Sequence, residues 1–122
     1  MRAKLKQLES PDIDLESFWP QNVDSFGFPL RAMIGPEGED GEESFDFFVC
    51  TPDWLKSHHE KTAVIFARHL LIVFEYDISK IRNHISRYCE RCIGEDWQDI
   101  ATKLARVGRW EFEDYLPYSS EM

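Results

Sequence analysis

The chain has 122 residues, 43% of them hydrophobic and 14% aromatic, which is enough to bury one core without disulfide staples or a structural metal and argues against disorder. No apolar run approaches the roughly 18 residues of a membrane span. The 14 Lys+Arg stand against 23 Asp+Glu, a net charge of -9, so nucleic acid is an unsuitable ligand and a basic partner a suitable one.

The charge is segregated. Residues 1–8 carry +3, residues 9–53 carry -11 with Arg31 as their one base, and residues 54–122 carry -1. The start, MRAKLKQLES, lacks the apolar core of a signal peptide. An odd number of cysteines, three, argues against a secreted disulfide framework. The expectation is one soluble, reduced, cytoplasmic domain over residues 1–122.

Arg2 to Leu8 alternates, with Ala3 and Leu5 against Arg2, Lys4 and Lys6, as in a half-buried edge strand. Residues 9–24 form a long connection pinned by Phe18 and Trp19. Phe26, Phe28, Leu30, Ala32 and Ile34 share one face of a second strand. Pro29 places that strand at an edge or at a bulge, because proline cannot donate to the ladder, and Gly35-Pro36 ends it. Residues 37–43 are turn material, and Ser44 to Cys50 returns as a strand with Phe45, Phe47 and Val49 on one face. The result is a long hairpin with an acidic tip.

Thr51-Pro52-Asp53 starts a short helix that fades near His58. The apolar run Leu70 to Phe74 suits a strand covered on both faces and central in its sheet. Asp77 caps a helix striped by Ile78, Ile81, Ile85, Tyr88 and Cys92, with Gly94 as its C′ stop. Trp97, Ile100, Ala101, Leu104 and Ala105 mark a second helix ending at Gly108. Arg109 to Tyr118 forms a last short strand or an extended segment. Strands first and paired helices after them give an α+β fold, mainly an antiparallel sheet with helices packed on one face.

No enzymatic constellation is complete. Cys89-x-x-Cys92 lies at a helix C-terminus, where the dipole disfavours a thiolate, and no second pair completes a zinc site. His58-His59-Glu60 lacks the second histidine four residues on, since Ala63 stands there. His69 and His84 are isolated. Gly35, Gly38 and Gly41 alternate with acids, which would repel phosphate, and a calcium loop starting at Glu37 has Gly41 at its fifth position. No catalytic residue, cofactor or metal is expected.

The remaining feature is the acid cluster Glu37, Glu39, Asp40, Glu42, Glu43 and Asp46 beside aromatic strands, with Trp19, Trp54 and Trp110 outside the helical stripes. Carboxylates with a Trp anchor suit a protein-binding face for a basic partner. An adaptor for some basic protein, or a redox protein using Cys89 and Cys92, are the other readings of the residues alone.

Three runs, GPEGEDGEESFDFFVCTPDWL at 35–55, RHLLIVFEYD at 68–77 and WQDIATKLARVGRWEFEDY at 97–115, make the chain resemble the immunity protein 8 family of bacterial polymorphic toxin systems. The resemblance implies a cytoplasmic, non-enzymatic inhibitor that binds a cognate secreted toxin, with a nuclease as the expected toxin. It carries no site residues with it. The toxin-binding set expected from charge is Glu37, Glu39, Asp40, Glu42, Glu43 and Asp46, with Trp19.

Overall fold

A computed structural model describes residues 1–114. Its elements are β1 (Ala3–Glu9), β2 (Gly27–Pro36), β3 (Glu43–Cys50), α1 (Pro52–His59), β4 (Leu70–Ile72), α2 (Ile78–Arg91), α3 (Trp97–Leu104) and β5 (Arg109–Trp110). The sheet runs β1-β2-β3-β4, and β5 pairs with the start of β3. All its pairs are antiparallel except β3–β4. The fold is α+β with one core, in which Phe45, Leu30, Ile34, Ile100 and Leu104 are fully buried.

The hairpin β2–β3 is the frame. Its register sets Phe28 against Val49, Leu30 against Phe47 and Ala32 against Phe45, so the alternation read from sequence lines one covered face. Pro29 is tolerated for a local reason. Its partner Phe48 turns its N–H to the carbonyl of His69, the residue before β4 (2.9 Å), so the nitrogen of Pro29 faces the other side. There β1 has already ended, at Glu9 opposite Arg31.

β2 continues through Gly35-Pro36 instead of ending before them, because both residues pair with β1, at Lys4 and Ala3. β1 itself is bulged at Lys6, between Leu5 opposite Ile34 and Gln7 opposite Met33. The extra residue returns Leu8 to the core face opposite Ala32, where strict alternation would have turned it away.

α2 and α3 cover the inner face of the sheet. Asp77 caps α2 through bonds from Ser79 N (3.0 Å) and Lys80 N (3.2 Å), and Asp96 caps α3 through Asp99 N (2.8 Å). Ile81, Ile85 and Cys89 face the core. Gly94 is not the C′ residue of α2. The helix ends at Arg91, and Gly94 has an ordinary φ and donates to the Met1 carbonyl (3.0 Å), with its missing Cβ making room for Asp99. The long connection 10–26 is held down by Phe18, which packs edge-on against Phe26, Phe28 and Tyr76, and by the Tyr76 hydroxyl on the Leu15 carbonyl (2.7 Å).

β4 differs from the expected central strand. It is a three-residue edge strand reached by a crossover, so it runs parallel to β3. Leu71 shares the inner face with Val49, while Ile72 and Phe74 remain exposed. A continuous apolar run states that a segment can be covered on both faces, not that a neighbour exists to cover it. The expected final strand is realised only as Arg109–Trp110; residues 111–114 form a turn, and 115–118 lie outside the described residues.

Gly35 makes the tip possible, since a Cβ there would fall onto the Gly41 carbonyl oxygen. Gly38 has φ +80 and open space around it. Gly35→Ala is therefore expected to cost about 3 kcal/mol through overpacking. Gly38→Ala should cost about 1 kcal/mol, the left-handed backbone penalty alone. Urea midpoints of the two variants check the difference.

Candidate functional site: the acidic hairpin tip

The loop between β2 and β3 carries Glu37, Glu39, Asp40 and Glu42, all exposed and without ion pairs among the described residues. Lys6, the bulge residue of β1, anchors the loop. Its ammonium donates to the Glu39 carbonyl (2.6 Å) and the Gly41 carbonyl (2.9 Å). The backbone of Glu37 donates to the Arg2 carbonyl (2.8 Å). The basic first strand thus fixes the shape of the acidic loop through main-chain oxygens. Nothing in the spacing of the sequence pairs these segments; the three-residue step from Leu5 to Leu8 is the one trace of the bulge.

Two of the six expected acids are occupied. Glu43 turns inward, and its Oε1 accepts from the indole N–H of Trp97 (2.7 Å) and of Trp110 (2.9 Å). These are charge-assisted bonds in a half-buried setting, where they are worth more than on the surface. Asp46 lies on the outer face of β3 and pairs bidentately with Arg31 directly across the ladder, at 2.9 and 3.1 Å. That hydrogen bond and the charge behind it raise the pKa of Arg31. The pair is exposed, so its contribution is at most about 1 kcal/mol.

Trp19 is 68% exposed, but it does not join the tip. It follows Phe18, which packs at the Phe26–Phe28 end of the hairpin, whereas the loop leaves from Ile34 and Glu43. About six strand residues, roughly 20 Å, separate the two ends. Trp54 and Trp110 are half-buried: Trp54 stacks on His58 (4.0 Å between centroids) and tilts against Phe48, and Trp110 stacks on Phe45.

A second exposed feature was not legible. Val64 (79% exposed) and Phe66 (100%) before β4, Ile72 within it and Phe74 (82%) after it are apolar side chains left exposed along the segment that carries the edge strand. In sequence these residues look like core; only the placement of β4 at the sheet margin shows otherwise. The thiols Cys89 and Cys92 are free and buried, and burial pushes Cys89 up to about 12 and raises Cys92 as well. Burial thus disfavours the thiolate form that the redox reading requires. Among the described residues no group of three or more His, Cys, Asp or Glu is placed to hold a metal ion, and no helix is long and apolar enough to cross a membrane.

Glu43 is thus a structural acid. Glu43→Ala leaves two indole N–H groups without their acceptor and is expected to cost about 2–4 kcal/mol. Glu43→Gln keeps an oxygen in place and should cost about 1 kcal/mol. Urea unfolding followed by tryptophan fluorescence checks both values, and equal midpoints for the two variants would remove Glu43 from this role.

Comparison with curated proteins and with solved structures found no match. The family model described as Immunity protein 8 matches residues 3–115, which takes in β1, the hairpin with its acidic loop, and all three helices. The chain belongs to the immunity protein 8 family.

Proposed function

We propose that this protein is the cytoplasmic immunity partner of a secreted polymorphic toxin, a nuclease, and that it neutralises the toxin by laying the acidic hairpin tip over the toxin's basic substrate-binding surface. The observation that carries the reading is the loop 37–42. Four carboxylates project from it without ion pairs among the described residues, on a backbone fixed by Lys6 and by the close approach at Gly35. A nuclease holds phosphates with Lys and Arg. A preformed array of carboxylates competes for that surface without the cost of ordering a loop on binding. It also steers the encounter, an effect worth about 10–1,000-fold in association rate at low salt. Long-range charge discriminates poorly among basic proteins, so specificity rests on shape and apolar anchors. Trp19 is such an anchor, within reach of an interface of about 800 Å² per partner that also covers the tip.

A second contact face has its own observation, the exposed apolar side chains Phe66, Phe74, Val64 and Ile72. It would serve the same immunity role with a partner recognised by apolar burial.

One experiment separates the two faces. The product of the neighbouring toxin gene is co-purified with this protein and its association kinetics are measured against salt. Glu39→Lys, Asp40→Lys and Glu42→Lys together, with Glu43 left intact to preserve its indole bonds, should slow association at least ten-fold at low salt and flatten the salt dependence. Trp19→Ala should raise the dissociation rate and leave the salt slope unchanged. Unaltered kinetics in the triple variant, with loss of binding in Phe66→Ala plus Phe74→Ala, would move the contact to the apolar segment around β4.

A further inference from the structure

We propose that the cavity between the inner face of the sheet and the helices α2 and α3 is a binding site for a small apolar monocarboxylate. The site is independent of the toxin-contact reading. The cavity measures about 310 Å³, its floor is apolar, with Phe47 and Leu104 among the lining residues, and Arg68, His69, His84, Tyr88 and Arg106 are its polar lining residues. No carboxylate lines it, although 23 of the 122 residues are Asp or Glu. In so acidic a chain, an acid-free apolar wall with one arginine that no carboxylate pairs is a local reversal of sign, and it selects an anion with a hydrocarbon body.

His69 stands in the same wall. Its Nε2 is buried and has no hydrogen-bond partner, and its backbone is held at φ +67, a region that non-glycine residues rarely adopt. An unpaired buried polar atom and a strained backbone at the same residue are each costly. Burial and the neighbouring Arg68 lower the pKa of His69, so its ring adds no positive charge to the wall at pH 7. Arg68 is already engaged by Glu113 at 2.8 Å, whereas Arg106 has no ion pair among the described residues. Arg106 is accordingly the residue that meets the carboxylate, with the hydrocarbon on the apolar floor.

At a water-sized share of about 30 Å³ per heavy atom, the volume holds on the order of ten heavy atoms, the size of octanoate. The probes are therefore octanoate and its neutral analogue 1-octanol, titrated into the full chain and followed by ¹H–¹⁵N correlation spectra. Octanoate should shift the amides of residues 67–71 and 104–107, and it should bind at least ten-fold more tightly than 1-octanol. Arg106→Glu should weaken octanoate at least ten-fold and leave 1-octanol within about two-fold. Ala67→Trp, a substitution at an exposed position on the cavity mouth, should exclude both probes without lowering the urea midpoint. Absence of octanoate shifts at residues 67–71, equal affinity for the two probes, or undiminished octanoate binding in Arg106→Glu would each overturn the assignment. None of these outcomes bears on toxin binding, which the hairpin variants test.

Discussion

One carboxylate oxygen holds three parts of the chain in register. Glu43 Oε1 accepts from Trp97 at the start of α3 and from Trp110 in β5, so the first residue of β3 is tied to a helix and to a strand far along the sequence. Phe45 lies beneath this junction, stacked on Trp110 (6.4 Å) and edge-on to Trp97 (6.4 Å). Glu111 adds a further tie, its carboxylate accepting from Ser44 N at 2.6 Å. The root of the acidic loop is therefore among the most constrained points of the fold, and the loop's backbone inherits that definition. An anion at a strand start would ordinarily be solvated. Two indole donors compensate the loss of water here, which is why an acid occupies a position between two aromatic rings.

The strands of the hairpin were legible because their period is unambiguous. Phe26, Phe28, Leu30, Ala32 and Ile34 alternate with residues that face outward, and a one-residue slip would invert every one of them. The helix caps Thr51 and Asp77 were legible as well, since a capping side chain acts on its own next turn. What was not legible depends on distant partners. The composition of Leu70 to Ile72 is that of a central strand, yet the crossover places it at the margin. Gly94 has the composition of a helix stop, but its small volume serves Asp99.

The same distinction separates the acids of the expected site. Glu42 and Glu43 are adjacent and identical in type, and net charge treats them alike. The strand pleat sends them different ways: Glu42 remains in the loop with water, while Glu43, paired with Ile34, begins the ladder and meets two indoles. Asp46 is taken by Arg31 because the register sets the two directly opposite each other. Charge counts measure the field around a molecule, which is a sum over all groups. Contacts depend on which few of those groups the backbone leaves unpaired, and that selection is made by register.

Lys6 shows how an acidic protrusion is shaped without being discharged. Its ammonium meets a loop that carries four acids, yet it bonds the carbonyls of Glu39 and Gly41. Main-chain oxygens are fixed by the fold, so the bond orders the turn at small entropic cost, whereas a surface carboxylate would have to give up its own side-chain freedom. The four exposed carboxylates therefore keep their hydration and their reach, and the bulge that brings Lys6 there also returns Leu8 to the core. A single extra residue in an edge strand serves the packing of the sheet on one side and the presentation of negative charge on the other. For that reason, shortening β1 by its bulge would disturb the core and the loop together.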